Sequence, residues 1–460
     1  MSADGLRLAQ EKMRGAGVAN SAIDVFSHYY RLLESGATGL IAEATIEPLL
    51  DPPALADVVV DPAQAREALA RTVLIKLNGG LGTSMGMDRA KSLLPVRARM
   101  SFLDVLVGQV RAARAAHDVP LPLILMNSFR TREQSLEALA AHPDIAVEGL
   151  PLDFLQNQEP KLRADDLTPV EWPADPTLEW CPPGHGDLYT AILSSGVLAA
   201  LLDLGYRYAS ISNADNLGAA PNAALAGWFA SSGAPYAAEL CRRTPADRKG
   251  GHLAVRRSDG RLILRDTAQT PPDEMHHFTD EHRHPYFHCN NLWFDLHALH
   301  VALVERGSVL GLPLIRNTKT VDPTDPDSPQ VVQVETAMGA AIEVFEGAQA
   351  IVVGRDRFLP VKTTDDLLLL RSDAYTHAPD GTLQRAAEPT PLVQLDPRFY
   401  RTMADFDARF PTGPPSLRSA TRLSVRGDWT FGGDVVVVGD VELADAGAPQ
   451  RIADGTTLGA

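Results

Sequence analysis

The chain has 460 residues, 45% hydrophobic and 22% charged, enough for a large buried core spread over two or three domains. Its formal net charge of -16 excludes a general nucleic-acid binder, which needs a basic face. It leaves small anionic ligands open, because a few local lysines reverse the field in one cleft.

The three cysteines, Cys181, Cys241 and Cys289, form no CxxC pair. That argues against a disulfide framework or zinc ribbon and suits a reducing cytoplasm. The N-terminal "MSADGLRLAQEKMRGAGV" has no apolar stretch of the secretory type, so no signal peptide is expected.

Residues 1–71 read as a helical region, with apolar residues at three-four spacing in "RLAQEKMRGAGV" and "AIDVFSHYYRLLESG". From Thr72 the pattern becomes alternating strands and helices. "TVLIKL" is a strand. "SFLDVLVGQVRAARAAHD" is a helix, with Ser101 and Asp104 at capping-box spacing, and "LPLILMN" is the next strand. "LYTAILSSGVLAALLDLG" reads as one buried helix. Asp203 and Gly205 interrupt its apolar run, which is too short to span a bilayer, so no membrane association is expected. "RYASISNAD" is a strand, "HLAVRRSDGRLILRD" a hairpin turning at Ser258-Asp259-Gly260, and "VKTTDDLLLLRSDAY" a helix capped by Thr363 or Thr364. Apolar strands alternating with helices predict a largely parallel sheet covered on both faces, with ligands at the carboxyl ends of its strands.

The tail differs. In "LSVRGDWTFGGDVVVVGDVEL", Gly-Asp recurs at 427–428, 433–434 and 439–440, and Val425, Phe431, Val437 and Leu443 keep the same step. A hexapeptide period of this kind predicts a β-helix; a meander with Gly-Asp turns is the alternative.

Four short motifs carry the candidate chemistry. "IKLNGGLGTSMGMDRAKSLLPV" is a strand entering a glycine loop, with Arg89 and Lys91 close behind. It lacks the GxxxxGK of a Walker loop, since Met85 stands where the second glycine belongs. It also misses the Rossmann fingerprint, because Gly86 comes one residue late. What remains is exposed backbone N–H groups and a lysine near an anion.

"CPPGHGDLYTA" places His185 between two glycines, open to a phosphate or a sugar hydroxyl, or simply to solvent. "SISNADNLG" puts Asn213, Asp215 and Asn216 at a strand end, where a carboxylate suits Mg²⁺ bridging phosphates. "FLPVKTTDDL" sets Lys362 before a helix N-terminus, a position a cation shares well only with an anion. Lys249 and Lys319 are weaker cases of the same kind. "HHFTDEHRHPYFHC" is rich in histidine but lacks zinc-site spacing, so no metal is expected there. No GxSxG or HExxH sequence supports a hydrolase.

Together, "LNGGLGTSMG", "AKS", "LMNSF", "PPGHGD", "SNADNLGA", "KGG", "NNLW", "VETAMGAAIEVF", "RFLPVKTTDDLLL" and the Gly-Asp tail resemble the eukaryotic-type UTP–glucose-1-phosphate uridylyltransferase family, over most of the chain. The resemblance implies an α/β fold: a central mixed, mostly parallel sheet flanked by helices, Rossmann-like and GT-A-like, with a left-handed β-helix at the C-terminus. It implies a catalytic domain over 72–390, and a linker helix and short β-helix over 391–460. A homo-oligomer through that C-terminal region is compatible with it.

The resemblance also implies roles. Leu77, Asn78, Gly79 and Gly80 would wrap the nucleotide through backbone groups, with Lys91 on the phosphates, Gln156 at the uracil edge and Gly184 packed on the nucleotide. His185, Asn213 and Ala214 would hold glucose 1-phosphate. Asn291 and Glu335 would contact sugar hydroxyls and Lys319 the sugar phosphate. Asp215 would bind Mg²⁺, the expected cofactor, and Lys362 and Lys91 would be catalytic. The implied partners are UTP and glucose 1-phosphate. Other sugar 1-phosphates, including N-acetylhexosamine, and a non-catalytic nucleotide-sugar binder are the alternatives. One departure is local: Arg89-Ala90 stands where many members have Gly-Pro before the lysine.

Overall fold

The computed structural model describes residues 3–97, 100–244, 247–378 and 381–459. Seven apolar runs pair into one sheet: β1 (Thr72–Asn78), β2 (Leu123–Asn127), β3 (Asp153–Leu155), β4 (Tyr208–Asn213), β5 (Tyr236–Arg242), β6 (Tyr286–Asp295) and β7 (Gln349–Val352). They lie in the order β7-β5-β6-β4-β1-β2-β3. Only β6 runs against its neighbours, β4 and β5; every other pairing is parallel. The sheet is mixed and mostly parallel, as the alternating pattern predicts.

Side-chain alternation divides each strand between two cores. Val73, Ile75, Ala209, Ile211, Leu292 and Phe294 face one side, under helices Leu188–Ser194, Val197–Asp203 and Leu296–Glu305. Leu74, Tyr208 and Trp293, one residue out of phase, face the other, under helices Pro62–Ala70, Phe102–His117 and Ala223–Ser232. Both faces are therefore dry, and the free backbone and polar side chains gather at the strand ends.

Local signals mostly hold. Ser101 caps Phe102–His117, and its capping box with Asp104 is complete. The hairpin pairs His252–Arg256 with Leu262–Arg265 and turns at Gly260 with φ +71°. Thr363 caps Thr364–Arg371. One expectation is corrected: "LYTAILSSGVLAALLDLG" is two helices bent by 65°. The break is at Gly196, whose φ of +78° no right-handed helix accepts. Among the described residues no single helix is long and apolar enough to cross a membrane.

Apolar packing crosses both expected domain borders. Helices Ala3–Gly15 and Asn20–Glu34 bury Met13, Phe26 and Tyr30 against Leu162, Leu314 and Val332. The tail shares a core with Met85, Leu94 and Phe102 of the catalytic region. In that tail, β8 (Leu392–Leu395), β9 (Ser416–Val425), β11 (Val436–Leu443) and β13 (Thr457–Leu458) form one parallel sheet, and β10 (Trp429–Phe431) pairs in parallel with β12 (Gln450–Ile452). Val425 pairs with Leu443 and Phe431 with Ile452, so the chain returns after about three hexapeptides. Val425, Phe431 and Val437 are buried, as their period predicts. The meander reading is excluded, because these pairings are parallel.

Candidate active site

The cleft opens at the carboxyl ends of β1 and β4, where Leu77 lies beside Asn213. The Ala214 N–H donates to the Leu77 carbonyl at 3.0 Å, which welds the two strand ends together. One lobe, about 380 Å³, is lined by Leu77, Asn78, Gly79, Gly80, Lys91, Gln156, Gly184, His185, Asn213, Ala214 and Asp215. A second lobe of about 310 Å³ shares His185, Asn213 and Asp215 and adds Lys362, Lys249, Asp247, Asp266, His288 and Asn290. Eleven of the residues singled out from sequence thus fall in the first lobe, and Lys362 in the second.

The glycine loop is a closed hairpin. The Lys91 N–H donates to the Gly80 carbonyl at 3.2 Å, and Leu81 bridges Ala90. Asp88-Arg89-Ala90 therefore does deliver Lys91 back to the glycines. The Lys91 Nζ meets Asp215 Oδ2 at 2.5 Å across the cleft. Asn78 turns its side chain inward, to Asn127 at 2.7 Å and Ser135 at 2.8 Å, leaving only its backbone to the cleft. A Cβ at Gly79 would stand 2.6 Å from Gln156 Oε1, so a side chain there would displace the Gln156 amide.

On the opposite wall, Gly184 takes φ +79°, and a Cβ there would sit 2.6 Å from the Thr336 carbonyl. The loop is pressed against Thr336, which accepts the Gly186 N–H at 2.8 Å. His185 Nδ1 accepts the Met338 N–H at 2.9 Å. Burial lowers its pKa, so the ring is neutral near pH 7. With Nδ1 occupied as acceptor, the proton sits on Nε2, which can donate to a ligand. His288 follows the same logic: Nδ1 accepts the Asn290 N–H at 3.0 Å, and burial followed by His185 pushes its pKa down to about 4.

Lys362 hangs from the segment before helix Thr364–Arg371. Its N–H donates to Asp366 at 2.7 Å, so the capping carboxylate neutralises the backbone and leaves the ammonium outside the helix. Among the described residues the Lys362 ammonium has no ion-pair partner. A buried network fixes this segment to the Asp215 turn. Asn216 Oδ1 accepts the Leu359 N–H at 2.8 Å, Asn216 bridges Pro360, and Asn216 Nδ2 donates to Asn291 at 3.0 Å. Below it, Arg357 and Glu239 form a buried ion pair at 2.8 Å.

Three expected ligands are placed elsewhere. Asn291 is corrected: it is 2% exposed and its amide serves Glu239 and the Arg357 carbonyl, because strand alternation turns it into the core. Asn290, held at φ +60°, faces the cleft instead. Glu335 stands against Gly184 and pairs with Lys319 at 3.8 Å; neither lines the two lobes. Asp247, Asp266 and His288 were not foreseen. "KGG" marked their neighbourhood, but hairpin packing, invisible in the sequence, brings them to the cleft. The histidine-rich stretch forms no metal cluster among the described residues. His284 is instead buried against Glu43 and stacked on His252 at 3.8 Å.

The family model described as UTP–glucose-1-phosphate uridylyltransferase matches residues 23–438. The chain belongs to the UTP–glucose-1-phosphate uridylyltransferase family. The enzyme of that name from Solanum tuberosum is 37% identical over 410 residues, 88% of this chain and 83% of that one. The one from Hordeum vulgare is 35% identical over 464 residues, 99% of this chain and 95% of that one. Among solved structures, UDP-glucose pyrophosphorylase from Leishmania major, known in open and closed forms, superposes with TM-score 0.93 and 39% identity, covering 99% of this chain and 98% of that one. A point mutant of the same Leishmania major enzyme in complex with UDP-glucose gives TM-score 0.92 and 40% identity over the same shares. For a member of this family the two-lobed cleft is the natural candidate for the nucleotide and sugar sites.

Proposed function

We propose that this chain transfers the uridylyl group of UTP to α-D-glucose 1-phosphate, giving UDP-glucose and pyrophosphate in a reversible reaction. The observation that carries this reading is the convergence of Lys91, Asp215 and Lys362 on one cleft between the glycine loop and the His185 turn. A phosphate oxygen of the sugar phosphate attacks the α-phosphorus in line and pyrophosphate leaves. The nucleophile is already an anion near pH 7, so no general base is required. What the site must do is bring two polyanions together and neutralise charge that shifts as the bond forms.

Backbone groups of Gly79 and Gly80 admit the nucleotide closely, and Gln156 faces the base. Lys91 exchanges its carboxylate partner for phosphate. Neutral His185 donates from Nε2 to the sugar phosphate beside Asn213, and Lys362, free of a carboxylate, stabilises the reacting phosphates. Asp215 offers hard oxygen donors in the cleft, and no cluster of three carboxylates or histidines forms around it among the described residues. This suits Mg²⁺, which takes most of its ligands from phosphate and water. Bound there, Mg²⁺ would neutralise phosphate charge and align the leaving group.

The finer architecture belongs to the same proposal: a Rossmann-like, GT-A-like catalytic sheet and a left-handed β-helix, supported by strand order and parallel coils. So do a cytoplasmic location, which suits three free buried cysteines, and self-association through the C-terminal coils. Pyrophosphate release is measured with Mg²⁺, UTP and a panel of sugar 1-phosphates. Turnover greatest with glucose 1-phosphate is expected; none with it overturns the proposal, and a preference for an N-acetylhexosamine phosphate moves it to the alternative.

A further inference from the structure

Behind the His185 turn, away from the cleft, lies an internal cavity of about 30 Å³. Apolar groups from the N-terminal helices, including Met13 and Phe26, line it beside two buried carboxyls, Glu159 and Asp187. Neither carboxyl has an ion-pair partner among the described residues. Burial pushes Asp187 up to about 7 and Glu159 well above the carboxylate range. Holding the Asp187 carboxyl here carries a desolvation cost that its hydrogen bonds must offset.

Asp187 is nevertheless fully engaged. Its two oxygens accept the Asn157 N–H at 2.6 Å and the Asn157 Nδ2 at 2.8 Å. Asn157 directly follows Gln156. The Gln156 N–H donates to the Asn127 carbonyl at 2.7 Å, and its Nε2 donates to the Gly184 carbonyl at 3.2 Å. The chain from Gly184 to Asp187 then closes a ring, with Gln156 at one corner and His185 on its rim.

The ring fixes more than position. With Nε2 committed to Gly184, the Gln156 amide cannot turn over, and Oε1 is held toward the Gly79 cradle as an acceptor. An acceptor there matches the N3–H of uracil. Cytosine has a lone pair at N3 and is repelled. We propose that Asp187 is a positioning residue that locks this amide orientation, and so sets the preference for uridine over cytidine triphosphate. The inference rests on the uridylyltransferase reading of the cleft.

The test compares wild type, Asp187→Leu, Asp187→Asn and Asn157→Ala for kcat/KM with UTP and CTP, Kd for each nucleotide, and Tm. Wild-type turnover with UTP and glucose 1-phosphate is established first, since its absence sinks the functional reading rather than this one. Asp187→Leu removes the acceptor of both Asn157 donors but also a buried carboxyl, so it is expected to stay folded with little change in Tm, while kcat/KM for UTP falls about tenfold or more and the UTP/CTP ratio narrows with it. Asp187→Asn can still bond Asn157 if that amide turns, and restores most of the ratio. An unchanged ratio in Asp187→Leu overturns the proposal. Equal losses with UTP and CTP accompanied by a lower Tm also overturn it, because they mark a residue that only holds the fold. Should Asp187→Leu fail to fold, Asn157→Ala decides: a narrowed ratio supports the lock and an unchanged one removes it.

Discussion

Lys91 and Lys362 reach the cleft in different electrical company. Lys91 is matched by Asp215 at 2.5 Å, whereas Lys362 has no carboxylate beside it among the described residues. Their substitutions should therefore separate. Lys362→Ala is expected to lower kcat by about 10²–10³-fold, the scale of losing one preorganised charge contact, with UTP Kd changed by less than about threefold. Steady-state kinetics and calorimetry together check this, and a loss confined to KM would contradict it. Residue-level legibility had a clear limit. The glycine loop, Asp215 and Lys362 stood out by residue type and place in the chain, whereas His185 read equally as a solvent-facing loop residue, and the individual roles came from the family resemblance. Asn290 and Asn291 did not stand out in that way, since adjacent residues of a strand face opposite ways and only the register of β6 decides which one meets the ligand.

The elements that shape the site are turns, and two glycines with nearly the same φ, +79° at Gly184 and +78° at Gly196, differ in ψ, 175° against -2°, and have opposite tasks. At Gly184 a Cβ would meet the Thr336 carbonyl at 2.6 Å, while at Gly196 it would meet nothing within 4 Å. Gly184→Ala is expected to displace the His185 turn and lower kcat/KM at least about tenfold. Gly196→Ala should cost about 1 kcal/mol through its left-handed angle alone, leaving turnover intact. Thermal melting and kinetics on both variants distinguish the cases, and equal activity in the two would refute the assigned roles. Sequence patterning showed the helical run around Gly196 but not its 65° bend, because periodicity continues through a break that only the backbone angle reveals.

Across the whole molecule, several histidines are buried as neutral rings. His288 shows the sign. Its folded pKa of about 4 lies below the unfolded value of 6.5, so the unfolded chain binds the proton first. Its contribution to stability is complete above pH 6.5 and is lost as pH falls toward 4. The Tm of His288→Asn relative to wild type should accordingly rise as pH drops from about 7 to about 4.5; a difference that stays constant would rule this out. The mostly parallel sheet and the repeating tail strands were legible as a class, while the strand order was not, since alternation and a six-residue step are printed in the chain and order is not. The shared cores that tie the N-terminal helices and the tail to the catalytic region were not, since they join residues far apart in sequence.

The Lys91–Asp215 pair has a thermodynamic consequence. On the proposed assignment, a nucleotide arriving alone would take Lys91 and leave Asp215 with its charge unmatched. A divalent cation arriving alone would take Asp215 and strand Lys91. Both together leave neither group in deficit, so each ligand should tighten the other by the same factor, as linkage requires. Titrating UTP with and without Mg²⁺, and Mg²⁺ with and without UTP, should return one coupling constant from both directions. Asp215→Asn, which removes the charge the pair balances, should shrink it toward unity.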